Sequence, residues 1–186
     1  MAHFRKEEEF FGFMFCALLL FPLLIYYSFD GVEMPGQEWL SQVLPKIDTD
    51  FEQMKKLYGE TAAHDFQRFF TITVYANLIG IVLMAVVFFI QIRKGRLVTG
   101  LRASRESGLR GTDDEKIFLG FMFFLGLFMA TMAWIIPSMI REPNGWGLVT
   151  VQAGLRGQIL TVIYFAVASC FTVPLIANFI EIRRSP

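Results

Sequence analysis

The 186-residue chain is 54% hydrophobic and holds 21 phenylalanines, which is too apolar for an ordinary water-soluble domain. Its 17 basic and 17 acidic residues cancel, so only their distribution along the chain is informative. Cys16 and Cys170 fall in apolar runs at different expected depths and belong to no Cys/His cluster, so a structural disulfide, a thiol-redox centre and a zinc site all lack support.

Four apolar runs are long enough to cross a bilayer core, which takes about 20 residues per helix. None of them contains Asp, Glu, Lys, Arg or His, and they are Phe10–Phe29, Phe70–Ile92, Ile117–Ile140 and Gln158–Ile180. The first run is too long for the apolar part of a signal peptide and offers no small-residue cleavage site, so we expect it to remain as a span. The sequence therefore predicts an all-α membrane protein with four transmembrane helices.

The third run repeats the first at a separation of 108 positions. Phe10, Gly12, Phe13, Met14 and Phe15 correspond to Phe118, Gly120, Phe121, Met122 and Phe123. The second and fourth runs also end alike, in Ile90–Lys94 and Ile180–Arg184. Because a two-span unit returns to its starting side, these echoes predict two tandem hairpins in a parallel repeat. The first hairpin is residues 1–94 and the second is 117–186, with a basic cytoplasmic loop at 95–116 between them.

Most of the 17 basic residues lie in the two tails and the middle loop. Cytoplasmic loops carry the excess of Lys and Arg, so we expect both termini inside, in a bacterial inner membrane. Nucleic-acid binding is a weaker interpretation of the basic loop, because no aromatic residues are interleaved with its charges. The favoured interpretation is contact with anionic lipid, through Arg93, Lys94, Arg96, Arg102, Arg105 and Arg110.

The first outer loop, at about 30–69, carries one apolar helical face. That face consists of residues spaced by four, three, four, three and four positions: Leu40, Leu44, Ile47, Phe51, Met54 and Tyr58. Pro45 divides the segment, Thr49 with Glu52 can cap a second helix, and Gly59 can end it. We therefore expect two short amphipathic helices. Because few basic residues lie on their polar face, packing on the protein or on a neighbouring subunit is favoured over attraction to anionic lipid.

Small residues four positions apart predict where the spans approach one another closely. Ala76 and Gly80 form one such pair in the second span, and Gly126 and Ala130 form another in the third. Asn77 is the most polar side chain well inside a span, and its amide needs a partner on another helix. These five residues are the predicted helix-packing seam.

Little in the sequence points to chemistry. The only histidines, His3 and His64, lie outside the spans, so haem ligation within the membrane is excluded and we expect no cofactor. Pumps usually carry Asp, Glu, Lys, Arg or His inside the membrane, and these spans have none of them. Glu60 and His64 are four positions apart, so a helix at the outer mouth of the second span would place them on one face, with Asp65 next to His64 in the sequence. Such a face could bind a metal, but known metal sites generally need three or four ligands, so the signature is weak.

Three functions remain open on the sequence alone. The favoured one is a non-enzymatic subunit or scaffold of a larger membrane complex, with other integral membrane subunits and lipid as partners. The alternative is a small channel or carrier, formed by one copy or by a homo-oligomer around a polar path through Asn77 and the span hydroxyls. A membrane enzyme with an outer-face metal site at Glu60, His64 and Asp65 comes third.

Overall fold

The computed structural model describes residues 2–29, 36–97, 99, 113–140 and 150–184. Within these ranges the chain is almost entirely helical, with one pair of two-residue strands. In chain order the elements are α1 (Ala2–Ser28), α2 (Gln37–Val43), α3 (Lys46–Tyr58), α4 (Glu60–Arg93), α5 (Asp113–Trp134), β1 (Met139–Ile140), β2 (Thr150–Val151) and α6 (Leu155–Arg184).

In the described part of the chain, three helices are long and apolar enough to cross a membrane, which indicates an integral membrane protein. The candidate spans are Glu9–Ser28 in α1, Glu60–Arg93 in α4 and Leu155–Ile180 in α6. The described apolar part of α5 is shorter, at Phe123–Trp134. The fourth span and the tandem repeat therefore stay predictions.

Helix α4 starts ten residues before the predicted span. It begins after Gly59, which takes a left-handed φ of 89°, and runs unbroken for 34 residues. At 1.5 Å per residue it is about 50 Å long, whereas a bilayer core is about 30 Å thick. Its first turns can therefore extend beyond the hydrocarbon, and α3 packs against α4.

Helix α5 ends at Trp134, six residues earlier than the predicted span end at Ile140. Proline has no amide hydrogen and disfavours helical geometry at the residue before it, so Pro137 prevents continuation of the helix. The amides of Ile135 and Ile136 both donate to the Thr131 carbonyl, at 2.9 and 3.2 Å. The chain then turns into β1, which pairs in parallel with β2.

Helices α4 and α6 form the centre of the bundle. Each contacts the other and also contacts α1, while α5 packs against α6. Large side chains from the central helices are fully buried, among them Phe69, Phe70 and Phe165. The bundle interior is therefore mainly aromatic and aliphatic, and Asn77 and Ser169 are among the few polar side chains that are fully buried there.

Helices α2 and α3 lie against one end of this bundle. They are separated at Pro45, which has a φ of −56° and precedes the first residue of α3. Helix α3 thus starts three residues before the predicted Thr49 cap, because proline is already set for the first turn. Thr49 instead donates to the Pro45 carbonyl over 3.2 Å. The six residues of the predicted apolar face all belong to one cluster with α4, the strand pair and α6: Leu40, Leu44, Ile47, Phe51, Met54 and Tyr58.

Candidate functional site

A buried ion pair is the most unusual feature of the described chain. Lys46 and Asp50 lie one turn apart on α3, with Nζ and Oδ2 separated by 3.4 Å. Their side chains are 1% and 0% exposed. Charged groups are rarely buried this fully, because removing them from water costs several kcal/mol per ion in proteins.

The ion pair connects α3 to the chain that follows α5. The Lys46 ammonium donates to the Ile136 carbonyl and, over 3.0 Å, to Ser138 Oγ. The Ser138 amide in turn donates to Asp50 Oδ1 over 2.6 Å. We refer to Lys46, Asp50, Ile136 and Ser138 as the Lys46 cluster.

The early end of α5 explains why this cluster exists. Where a helix stops, its last carbonyls lose their helical partners, and buried backbone groups must find others. Lys46 supplies a donor to one such carbonyl, and a cation is also favoured near a helix C-terminus. Asp50 accepts a hydrogen bond from the backbone amide of Ser138, which follows the proline. The two side chains together replace backbone hydrogen bonds that Pro137 has interrupted.

Burial opposes both charges of the pair. It lowers the pKa of Lys46, and the Asp50 carboxylate acts in the opposite direction. It also raises the pKa of Asp50, against the effects of Lys46 and of the Ser138 amide. Asp50 Oδ2 is buried without a hydrogen bond, since 3.4 Å from Lys46 is longer than a good one. The Phe70 ring centroid lies 5.7 Å from the ammonium.

The 3.0 Å between Lys46 Nζ and Ser138 Oγ is a typical distance between a general base and a serine nucleophile. A neutral lysine next to a serine can activate it for attack on a carbonyl group. Here the Lys46 nitrogen donates to Ser138 Oγ and to the Ile136 carbonyl, so it is not placed to accept the serine proton. Ser138 is also only 5% exposed, so a substrate carbonyl has little access. The geometry therefore fits a structural connection better than a hydrolase.

A second polar cluster joins the end of α1 to the start of α4. The Tyr26 hydroxyl donates to Asp65 Oδ1. Arg68 donates to the Phe29 carbonyl and, over 3.4 Å, to the Tyr26 carbonyl. Its guanidinium carbon lies 4.8 Å from the centroid of the Tyr26 ring. The groups most able to recognise a ligand here are thus engaged with another part of the same chain.

A small cavity lies beside Asp65. Its volume is about 30 Å³, and Phe66, Gln152 and Gln158 contribute to its walls. Gln158 Oε1 also accepts from the Tyr27 hydroxyl over 2.9 Å. A cavity of this size can hold a group the size of one water molecule but no organic substrate.

The three residues of the predicted metal site do not converge. Glu60 pairs with Lys55 over 2.8 Å, and Asp65 accepts from Tyr26. His64 is exposed and stands edge-on to the Phe51 ring, with centroids 5.3 Å apart. Among the residues that the structure describes, no group of three His, Cys, Asp or Glu side chains is placed to hold a metal.

Three of the five residues of the predicted packing seam lie at separate contacts between helices. Asn77 donates to the Thr73 carbonyl over 2.8 Å and accepts from Ser169 of α6 over 2.9 Å. Gly80 faces Leu18 of α1, where an added Cβ would clash. Gly126 faces α6, and an added Cβ would lie 3.0 Å from Leu175 Cδ1. Ala76 is buried and Ala130 half-buried.

The predicted lipid-contact residues divide between described and undescribed parts of the chain. Arg93, Lys94 and Arg96 are exposed at the end of α4. Arg102, Arg105 and Arg110 lie outside the described residues, so their contact with lipid stays a prediction.

One feature of the sequence indicates the Lys46 cluster, namely the position of Asp50 beside the apolar face of α3. Lys46 and Asp50 are four positions apart, like an ordinary exposed ion pair. On a helix of 3.6 residues per turn, however, Asp50 is only about 40° from Met54 around the axis. A carboxylate so close to the middle of the apolar face predicts a buried charge. Its partner Ser138, 88 positions away, has no comparable signal.

None of the protein-family models, curated proteins or solved structures that were compared with this chain matches it.

Proposed function

We propose that this protein is a non-enzymatic, multi-pass subunit or scaffold of a larger membrane-protein complex in a bacterial inner membrane. The observation that carries the proposal is the use of buried and partly buried polar groups to join separate segments of the chain. Asn77 with Ser169, Tyr26 with Asp65, and Lys46 with Ile136 and Ser138 each join one part of the chain to another. Polar groups used in this way stabilise an architecture, and in the part of the chain that the structure describes they do not assemble a catalytic site.

The bundle interior also weighs against a channel through a single copy. Asn77 and Ser169 have no solvent exposure, and both are engaged with each other. The hydroxyls of three span threonines donate to carbonyls of their own helices rather than lining a path: Thr73, Thr161 and Thr172. A pore would need a continuous row of hydrated polar groups.

Helix α5 offers a surface suited to a neighbouring membrane helix. Its described packing is against α6, and a row of aromatic rings points away from the bundle. Phe121, Phe124 and Phe128 follow one another at steps of three and four, and all are exposed. In a bilayer such a surface meets lipid or another transmembrane helix. The proposed topology places both termini in the cytoplasm and α2 and α3 on the outer face.

The test is crosslinking in the intact membrane followed by purification. A photo-crosslinking residue replaces Phe124 on α5 in one variant and Phe13 on α1 in a second, since both side chains are mostly exposed. Both are irradiated before a C-terminally tagged copy is extracted in mild detergent. The proposal expects covalent, stoichiometric recovery of at least one other integral membrane protein from one of the two positions.

Because crosslinking precedes extraction, loss of a partner in detergent cannot explain a negative result. Recovery of lipid adducts and of this chain alone, from both positions, would contradict the subunit proposal. If purified protein then conducted ions in liposomes, the homo-oligomeric channel would replace it.

A further inference from the structure

Three oxygen atoms of different chemical kinds surround the Lys46 ammonium. They come from the Ile136 carbonyl, the Ser138 hydroxyl and the Asp50 carboxylate. Two of these groups follow the end of α5 and the third is on α3, so the position exists only when the two segments meet. Asp50 Oδ2 is fully buried and lacks a hydrogen-bond donor. It is therefore held only by the longer ion-pair contact of 3.4 Å with the Lys46 ammonium, and it is directed at the same point.

This set of ligands matches the requirements of a monovalent cation. Carboxylate, carbonyl and hydroxyl oxygens are the usual ligands of hard cations, and free carbonyls at interrupted membrane helices coordinate ions such as Na⁺. One carboxylate balances one positive charge. A divalent ion would leave an uncompensated charge in a buried position, which is strongly unfavourable.

We propose that Asp50, Ile136 and Ser138 form a monovalent-cation site, and that the Lys46 ammonium is its built-in occupant. The ligands that this site would take are ammonium, primary alkylammonium ions and small alkali-metal cations. The tethered ammonium lets the end of α5 and helix α3 remain joined without a bound ion. Occupancy of the site, rather than the lysine side chain as such, is what stabilises this junction.

The test uses chemical rescue of a truncated lysine. Lys46→Ala removes three carbons and the amine, which together have the size and shape of propylammonium. The purified full-length variant is melted at constant ionic strength and neutral pH, with increasing propylammonium, ammonium or potassium, or with choline as a bulky cation. We expect a lowered Tm, a saturable recovery with propylammonium, a smaller one with ammonium or potassium, and none with choline.

Two variants separate site binding from a general salt effect. Lys46→Met fills the space of the lysine stem without a charge, and K46A/D50N removes the carboxylate. Neither should gain Tm from propylammonium beyond the change seen in the wild type. Equal gains in K46A and K46A/D50N would overturn the proposal, as would a folded K46A that responds to none of the cations.

A second measurement covers the case in which K46A does not stay folded in detergent. The exposed Lys55 and Lys56 make α3 a target for trypsin, which cleaves after lysine and reports on release of this helix. Cleavage is followed in permeabilised, unextracted membranes. The proposal expects propylammonium to slow cleavage of K46A several-fold more than cleavage of the wild type or K46A/D50N. Identical slowing in all three proteins, or none, would reject the site.

Discussion

Ser169 donates a hydrogen bond of 2.9 Å to Asn77 and thereby joins α6 to α4 in the middle of the bundle. Both side chains have no solvent exposure. The Asn77 amide nitrogen is bound as well, to the Thr73 carbonyl one turn earlier. The asparagine is therefore held by its own helix on one side and by the neighbouring helix on the other. Lipid tails offer no such partner, so this bond favours one pairing of α4 with α6.

Ser169→Ala should destabilise the protein, because it leaves the Asn77 carbonyl oxygen buried and unpaired. Interhelical hydrogen bonds in membranes are worth about 0.6–2 kcal/mol, and we expect a loss of free energy of unfolding in this range. Asn77→Leu should cost a similar amount, and the double variant less than the sum of the two. The measurement is a double-mutant cycle of reversible unfolding in detergent. Strict additivity would mean that the bond does not couple the helices.

Gly80 permits the close approach of α4 to α1, so even a methyl group should be harmful there. An added Cβ would clash with Leu18 Cδ2, whereas at Gly12 no atom lies within 4 Å of the added carbon. Leu18 is buried, so its side chain has little room to move aside, and we expect Gly80→Ala to cost about 1–3 kcal/mol, as overpacked sites typically do. Gly12→Ala is the matched control and should be near neutral or slightly stabilising, since alanine favours helix over glycine.

The same contact can be tested by relief of the clash. In the L18A/G80A variant the smaller residue at position 18 leaves room for the new methyl group. Its Tm should therefore lie above the value expected from adding the two single changes. If G80A behaves like G12A, helices α1 and α4 do not approach at this glycine.

The pattern of apolar residues predicts much of the fold. Runs of about 20 apolar residues have few alternatives to a helix in a membrane, because every backbone group must be satisfied internally. Spacing of apolar residues likewise predicts which side of α3 is buried. The predicted end of the third span was wrong. Met139 and Ile140 are as apolar as a transmembrane helix requires, but they follow Pro137 and form a strand.

The predicted packing residues show where sequence reasoning reaches its limit. Small size indicates that Gly80 and Gly126 can lie at close contacts, but nothing local says which helix each one meets. Their partners, Leu18 and Leu175, are distant in sequence and ordinary in type. The same limit applies to Ser138. The hydrogen bond from its backbone amide to Asp50 depends on how two segments 88 positions apart are brought together.

The charge distribution predicts a topology with both termini inside. Reporter fusions at Gly36, Gly100, Gly145 and Pro186 should read outside, inside, outside and inside. The physical reason is the excess of basic residues in the middle loop and the tails. Paired reporters that are active on opposite sides of the membrane give the measurement and its internal control. An inside signal at Gly36 or Gly145 would show that the charge argument fails.

The Lys46–Asp50 pair should be more sensitive to removal of one partner than of both. Breaking a buried pair typically costs about 3–5 kcal/mol, because it leaves an uncompensated charge. Replacing both charges with apolar groups of similar size is often neutral or stabilising. We therefore expect K46M and D50L each to lower the Tm strongly. K46M/D50L should recover only part of the loss, because the Ile136 carbonyl and the Ser138 amide still lose their side-chain partners.

The exposed pair of Lys55 and Glu60 provides a control on the same end of the protein. Its side chains are 43% and 65% exposed, so water already screens the interaction. K55M and E60Q should leave the Tm almost unchanged. A double variant at 46 and 50 that is as unstable as the worse single one would indicate that the pair is required for its specific hydrogen bonds.

The stability of Asp50→Asn should improve as the pH rises. Burial lowers the pKa of Lys46 below its ordinary value of 10.5, and Asp50 normally opposes this effect. Without the carboxylate the folded-state pKa falls further, while the unfolded-state value is unchanged. Between these two values the unfolded chain binds more protons than the folded one, so the free energy of unfolding increases with pH. The penalty is complete below the folded-state pKa and is relieved as the pH approaches 10.5.

The comparison that isolates this effect is D50N against K46M/D50N, because all other titrating groups are common to both. We expect the Tm of D50N to be the lower one at neutral pH and the difference to narrow steadily towards about pH 10, where unperturbed lysines begin to lose their protons. Circular dichroism melts in one detergent over this range give the measurement. A difference that stays constant or widens would mean that Lys46 keeps its charge in the folded protein, and that water reaches the ammonium once Asp50 is neutral.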